Sequence, residues 1–293
     1  EGVDCDSAGY CYGTSVAVDS AGYAYVTGSF RGDVDFGSTT LTWAGVEDIF
    51  VAKIDTWGSW QWASMAGSTQ GYDVAHSIDI GPNGNAFIAG YFQYTAYFGT
   101  DSITTSGGSD VFIAKISPQG DWVWTGVAGG TSSSEAFAIA VDSQGGVFVA
   151  GEFWAGISFG NITYSTGGYS NSFIAKAIDQ GNSVDWDWAV KVGSTSGNSA
   201  EDIAFDSNGD LMVTGWFQGT ASFGNSAMTS SGNQDIYVAK IQANSNSVWA
   251  QKAGSGSTDM GLGIAVGPQG NLYTTGYFQQ STISFGSVNI AGG

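Results

Sequence analysis

The chain repeats itself, and that repetition limits its fold more than any other feature. The segment VAVDSAGYAYVTGSF (16–30) returns as IDIGPNGNAFIAGYF (78–92), IAVDSQGGVFVAGEF (139–153), IAFDSNGDLMVTGWF (203–217) and IAVGPQGNLYTTGYF (264–278). Gly28, Gly90, Gly151, Gly215 and Gly276 hold one phase, spaced by 62, 61, 64 and 61 residues. Phe-Gly pairs follow at 36–37, 98–99, 159–160, 223–224 and 285–286. DIFVAKI (48–54), DVFIAKI (110–116), NSFIAKA (171–177) and DIYVAKI (235–241) come next. Trp62, Trp124, Trp188 and Trp249 then each precede a glycine by five residues. Self-similarity at a fixed period marks a supersecondary unit stacked in tandem.

Each unit predicts four strands. Strand A is apolar, as in SVAVD, and ends in a turn such as SAGY, PNGN or SNGD, whose residues tolerate positive φ. Strand B alternates with period two: Val26, Gly28 and Phe30 on one face, Tyr25, Thr27 and Ser29 on the other. Strand C is the DxFVAK segment, rich in β-branched and aromatic residues, and strand D carries the tryptophan. No window shows a capped 3.6-residue apolar stripe. The prediction is an all-β chain, a single β-propeller domain (1–293) of about five four-stranded blades. Its repeats run approximately over 14–73, 74–136, 137–200, 201–261 and a partial 262–293, with 1–13 a remnant of a preceding repeat. Blades of ~40–50 residues are more usual, so a long B–C excursion accounts for the surplus. The fixed small residues of strand B are expected to let neighbouring sheets approach closely.

The GxxYVTGxF-like strand, the DxFVAK strand and the tryptophan strand resemble the SBBP-type β-propeller repeats of bacterial and archaeal surface or secreted proteins. The resemblance covers almost the whole chain. It implies an extracellular or cell-surface propeller and names no activity.

The last repeat holds strands A and B but no DxFVAK or tryptophan strand, and residues 1–13 offer at most a piece of strand D. Open sheet edges recruit strands from other chains. The incomplete blade is therefore expected to take as partner another copy or another surface protein, giving a structural or adhesive module, an array or a filament subunit.

Seven Lys+Arg against 26 Asp+Glu give a net charge of −19. Such a surface repels nucleic-acid backbones and anionic lipid. No run approaches the roughly 18 apolar residues of a membrane helix. The opening EGVDCDSAGYC has no basic stretch followed by an apolar run, so a mature or excised piece without a signal peptide is expected. Cys5 and Cys11, the two cysteines, suit a short disulfide loop in an oxidising compartment.

Chemistry is sparse. His76 is the lone histidine, and its counterpart in the first repeat is Thr14, so it is expected to be structural. GISFG (156–160) fits the G-x-S-x-G pattern, but DVDFG, TAYFG, TASFG and TISFG fill the same slot, and no strand-to-helix turn follows. Arg31-Gly32-Asp33 and the sequon Asn161-Ile162-Thr163 do not recur in the other repeats. No enzyme is expected, and no cofactor beyond calcium. Calcium ligands, if present, are Asp206, Asn208 and Asp210 of DSNGD, with Asp33 and Asp35; no full EF-hand spacing exists. Lys53, Lys115, Lys176 and Lys240 recur on strand C. Their expected partners are Asp48, Asp110 and Asp235 at the strand start, or Asp19, Asp142 and Asp206 in the A–B turn.

The repeats disagree at the end of strand B. Tyr91, Glu152, Trp216 and Tyr277 follow the fixed glycine, and Gln93, Tyr94, Trp154, Gln218 and Gln279 lie just beyond. Aromatics beside amides and acids are the equipment for stacking and hydrogen-bonding a sugar. The alternative function is thus a glycan-binding propeller with one shallow site per blade and a polysaccharide partner.

Overall fold

The computed structural model describes residues 4–5, 9–224, 226–242, 244–245, 247–280 and 282–291, and every regular element among them is a strand. A short β1 (Asp4–Cys5) precedes the first repeat. That repeat comprises β2 (Tyr10–Val18), β3 (Ala24–Arg31), β4 (Val34–Phe36), β5 (Thr39–Leu41), β6 (Asp48–Ile54) and β7 (Trp60–Ser68). The second has β8 (Val74–Ile80), β9 (Ala86–Phe92), β10 (Thr95–Phe98), β11 (Asp101–Thr104), β12 (Asp110–Ile116) and β13 (Trp122–Ala128). The third has β14 (Ser134–Val141), β15 (Gly146–Phe153), β16 (Gly156–Phe159), β17 (Ile162–Ser165), β18 (Asn171–Asp179) and β19 (Val184–Ser194). The fourth has β20 (Asn198–Phe205), β21 (Leu211–Phe217), β22 (Thr220–Phe223), β23 (Ser226–Thr229), β24 (Asp235–Ile241) and β25 (Ser247–Gly254). The last has β26 (Asp259–Val266), β27 (Leu272–Phe278), β28 (Thr282–Phe285) and β29 (Val288–Ala291).

Strands A to D of each complete repeat form an antiparallel sheet, β2-β3-β6-β7 in the first and its counterparts in the next three. The B–C excursion is a two-stranded hairpin, and it belongs to the neighbouring sheet. Hairpin β10–β11 pairs with β7, β22–β23 with β19, and β28–β29 with β25, so each extends the outer strand of the preceding repeat. Hairpin β4–β5 does the same with β1, and β16 touches the preceding repeat through one bridge, Gly129 to Ser158. These hairpins are the surplus length over a shorter blade, and they clip each repeat to its predecessor.

Successive sheets also pack through their A strands: β8 on β2 and β3, β14 on β8 and β9, β20 on β14 and β15, β26 on β20 and β21. The core is accordingly a series of inter-sheet clusters, for example Ile49, Val51, Ile78, Ile88 and Phe112 between the first two repeats. Tryptophans stitch the same joints. Trp122 Nε1 donates back to the Met65 carbonyl and Trp186 Nε1 to the Val127 carbonyl, both at 3.0 Å, while Trp62 Nε1 reaches forward to the Pro118 carbonyl at 2.9 Å. Among the described residues the sheets do not close into a ring, and β26–β27 stands as a two-stranded sheet at one end.

The fixed strand-B glycine has a different cause from the close sheet packing expected of it. Every strand A carries a β-bulge at one position, Thr14, His76, Phe137, Glu201 or Leu262. Beside the bulge, the carbonyl two residues before it lies close against strand B. A Cβ on Gly28, Gly90, Gly151, Gly215 or Gly276 would overlap the carbonyl oxygen of Tyr12, Val74, Glu135, Ser199 or Met260. The close approach is therefore within the sheet. In three of the four complete repeats the glycine after the tryptophan likewise makes room for a carboxylate: a Cβ on Gly67, Gly129 or Gly254 would strike Asp48, Asp110 or Asp235, whereas Gly193 faces Asn171 at ordinary contact distance. Those aspartates hold the loop before strand C, Asp110 accepting from the Ser106 amide at 2.7 Å and Asp235 from the Ser231 amide at 2.9 Å.

Candidate functional site

The variable residues at the end of strand B divide into two sets. Those directly after the fixed glycine turn inward along the line of bulges. Tyr91 lies 5.7 Å from His76, whose ring is 5.4 Å from Phe137 of the next repeat. Glu152 stands cross-strand from Glu135, and Trp216 Nε1 donates to Glu201 Oε1 at 2.9 Å. Tyr277, at the far end, is exposed and donates to the Met260 sulfur. The residues one step further are committed to loops. Gln93 donates its amide to Asp73 Oδ1 at 3.0 Å and accepts from the Tyr72 amide at 3.2 Å. Gln218 Nε2 donates to Asn233 Oδ1 at 2.6 Å, and the Gln279 amide donates to the Thr258 carbonyl at 3.1 Å. The rings of Tyr94 and Trp154 are exposed.

Glu135, Glu152 and Glu201 approach one another across the third and fourth repeats. Burial, then the charges of Glu135 and Glu201, push the Glu152 carboxyl up to about 7; burial also raises Glu135 and Glu201. Burial pushes the His76 imidazole down to about 4, so it is neutral at physiological pH. This row is a seam between repeats in which burial makes the carboxyls harder to ionise.

Most remaining acids hold backbone. Asp79 Oδ2 accepts from the Val141 amide and Asp202 Oδ2 from the Ile264 amide, both at 2.7 Å and both across a repeat boundary. In DSNGD, Asp206 Oδ1 accepts from the amides of Asn208 and Asp210. Lys240 Nζ then lies 2.8 Å from Asp206 and 2.7 Å from Asp210, so an ammonium occupies the space between the two carboxylates proposed for calcium. Asp33 accepts from the Trp43 amide at 3.3 Å and Asp35 from the Thr40 hydroxyl at 2.5 Å. Among the described residues no three metal-ligating side chains are gathered.

Strand-C lysines do pair with acids, and their partners vary. Lys53 takes Asp19 of the A–B turn at 3.5 Å, as Lys240 takes Asp206. The second repeat has Gly81 in that turn, and Lys115 reaches instead to Asp179 of the third repeat at 2.7 Å. Lys176 is 3.8 Å from Asp187. Cys11 is disulfide-bonded; the side chain of Cys5, the other cysteine, lies outside the described residues.

The two ends of the repeat array expose what every internal joint buries. Val16 is 61% exposed, whereas its counterparts Ile78, Ile139, Ile203 and Ile264 are at most 8% exposed, each packed on the preceding repeat. Val18 and Tyr12 of the same strand are also exposed. At the opposite end Tyr273 is 60% exposed, and its counterparts Tyr25, Phe87, Phe148 and Met212 are buried. Repeat alignment brings these positions out; sequence inspection for catalytic or ligand-type residues passes over them because they are ordinary core types.

No family model matches the chain. An uncharacterized WD repeat-containing protein of Acanthamoeba polyphaga mimivirus is 22% identical over 86% of this chain and 22% of its own length. The regulatory protein FlaEY of Caulobacter vibrioides is 29% identical over 58% of this chain and 18% of its own. The chain thus spans about a fifth of the length of these curated relatives. A crystal structure from Dyadobacter fermentans, described as a protein of unknown function, aligns over 92% of this chain and 78% of its own, with a TM-score of 0.48 and 10% identity. The class these observations define is a mostly-β repeat protein with a WD-repeat-containing relative.

Proposed function

We propose that the chain is a non-enzymatic propeller-type scaffold module of about five repeats, acting at the cell surface by self-association through its two end faces. The observation that supports this reading is the repeated joint itself: Ile78, Ile139, Ile203 and Ile264 are each at most 8% exposed, packed on the preceding repeat through the same pair of faces. A face shaped to receive a repeat of this same kind is complementary to the face at the other end, because four internal joints already use both. The occupant is a second copy of the chain, docking head to tail. Such a contact is heterologous, and it makes rings or filaments according to whether the rotation closes. Covering an aliphatic side chain contributes roughly 1.5–3 kcal/mol, so Val16, Val18 and Tyr273 supply a substantial apolar centre. The disulfide at Cys11 supports an oxidising, extracellular setting.

Sedimentation of the whole chain over a range of concentrations tests this. Dimers and larger species are expected at high concentration, and Val16→Glu is expected to leave a folded monomer. A strict monomer at the highest concentration, or assembly unchanged by Val16→Glu, overturns it.

A further inference from the structure

The joint between the first two repeats carries a cleft whose counterpart between the third and fourth is lined by Ser194, Thr195, Thr220 and Ser222, so what is peculiar to this copy is its tyrosines. Hairpin β10–β11 is paired with β7, and where that pairing ends a cleft of about 280 Å³ is lined by Ser68, Thr69, Gln70, Tyr94, Thr95 and Tyr97. Tyr94 and Tyr97 are 57% and 52% exposed. Neither is a repeat residue. Tyr97 corresponds to Asp35, Ser158, Ser222 and Ser284, and Tyr94 to Gly32, Ala155 and Gly219. The second position is left-handed in every one of these copies, with φ of 87° at Gly32, 59° at Ala155 and 73° at Gly219. Glycine adopts that conformation freely, but Tyr94 holds φ 59° with a bulky side chain. A ring that bears this steric cost and stays in water gains no burial in return. The backbone conformation is architectural, since the Tyr94 carbonyl accepts from the Thr105 amide at 2.9 Å as those of Ala155 and Gly219 accept from Thr166 and Ser230; what this copy adds is a bulky side chain where glycine would serve, a departure that points to use of the side chain.

The lining chemistry selects the ligand. None of the six residues is charged, so an anion meets no cation and a net charge of −19, and a cation meets no carboxylate. What remains is two flat aromatic faces beside an amide and hydroxyls. Aromatic faces stack on the C–H faces of a sugar ring, and neutral donors and acceptors bind its hydroxyls. The volume lies near the small end of ligand pockets, which begin at about 300 Å³.

We propose that the cleft between Tyr94 and Tyr97 binds a pyranose unit of a neutral polysaccharide, at one site in this chain rather than one per repeat. The site does not depend on end-to-end assembly, since both its walls lie at an internal joint. The test is binding of the whole chain to an array of neutral oligosaccharides, followed by titration of the best binder against Tyr94→Gly and Tyr97→Ser. These variants install residues that other repeats carry at the same positions, so folding is preserved; a thermal melt alongside checks it. The expected result is binding by the wild type, reduced at least tenfold in each variant, with melting temperatures unchanged or, for Tyr94→Gly, raised. Absence of binding to any neutral glycan, or binding retained in both variants, overturns the proposal. So does a tyrosine-dependent signal on a proline-rich peptide array without glycan binding, since such peptides also dock on aromatic grooves.

Discussion

Replacing Glu152 by glutamine tests the acidic seam between the third and fourth repeats. In the folded chain the Glu152 carboxyl titrates at about 7, against a reference of 4.5. Below pH 4.5 both folded and unfolded chains hold the proton, and there is no difference to express. Between 4.5 and 7 the folded protein keeps a proton the unfolded chain has lost, so stability falls as pH rises through that window. A tenfold difference in proton affinity between the two states corresponds to roughly 1.4 kcal/mol, which puts the whole effect at about 3 kcal/mol as an upper bound. Glu152 is only partly buried, and Glu135 and Glu201 share the repulsion, so about 2 kcal/mol is the expected size. Glutamine keeps the shape without the charge. Urea unfolding followed by tryptophan fluorescence should show Glu152→Gln within about 0.5 kcal/mol of wild type at pH 4.5, and about 2 kcal/mol more stable at pH 8. The difference between variant and wild type isolates Glu152 from Asp73, whose burial raises its carboxyl to about 6 in the same direction. A difference that is flat with pH, or a less stable variant at pH 8, would refute the reasoning.

Two further perturbations probe the frame. Gly254→Ala pushes a methyl into the loop-holding carboxylate of Asp235, whereas Gly193→Ala meets Asn171 Oδ1 at 3.5 Å and Lys191 Cε at 3.7 Å, both ordinary contacts; chemical denaturation should show a loss of about 2–3 kcal/mol for the first and under about 1 for the second. Burial depresses the His76 imidazole from 6.5 to about 4, so the unfolded chain binds a proton that the folded chain refuses, and stability falls as pH drops through that range. His76→Phe should flatten that acid limb in pH-dependent melts, and an unchanged limb would count against it.

Repeats, strand order and the absence of helix were legible because the same residues return at the same phase. The reasons for several fixed residues were not. Gly28 and Gly90 read equally well as a sheet-packing device or an in-sheet one, and only the bulges at Thr14 and His76 show which carbonyl the missing Cβ avoids. Hairpin partners were hidden for a related reason. Phe36 and Phe98 mark the excursion in sequence, but its pairing is with a strand some thirty residues earlier and belongs to another unit. Lysine pairing was half legible: Asp19 and Asp206 were named, while Asp179 serves Lys115 because Gly81 removes the local acid.

Function has to be sought where a copy departs from its siblings without architectural need, and the structure separates two kinds of departure. Glu152 and Trp216 differ from Ser29 at the same position, yet they turn into the seam, where Trp216 satisfies Glu201 and the variation is compensated between neighbours. Tyr94 and Tyr97 differ from Gly32 and Asp35, and both stay about half exposed beside a neutral cleft. A repeat array can mutate freely at a compensated position, since each sheet answers only to its neighbours. A half-exposed ring at a left-handed position that glycine fills in two other repeats has no such neighbour to answer to, which is why the ligand is sought there.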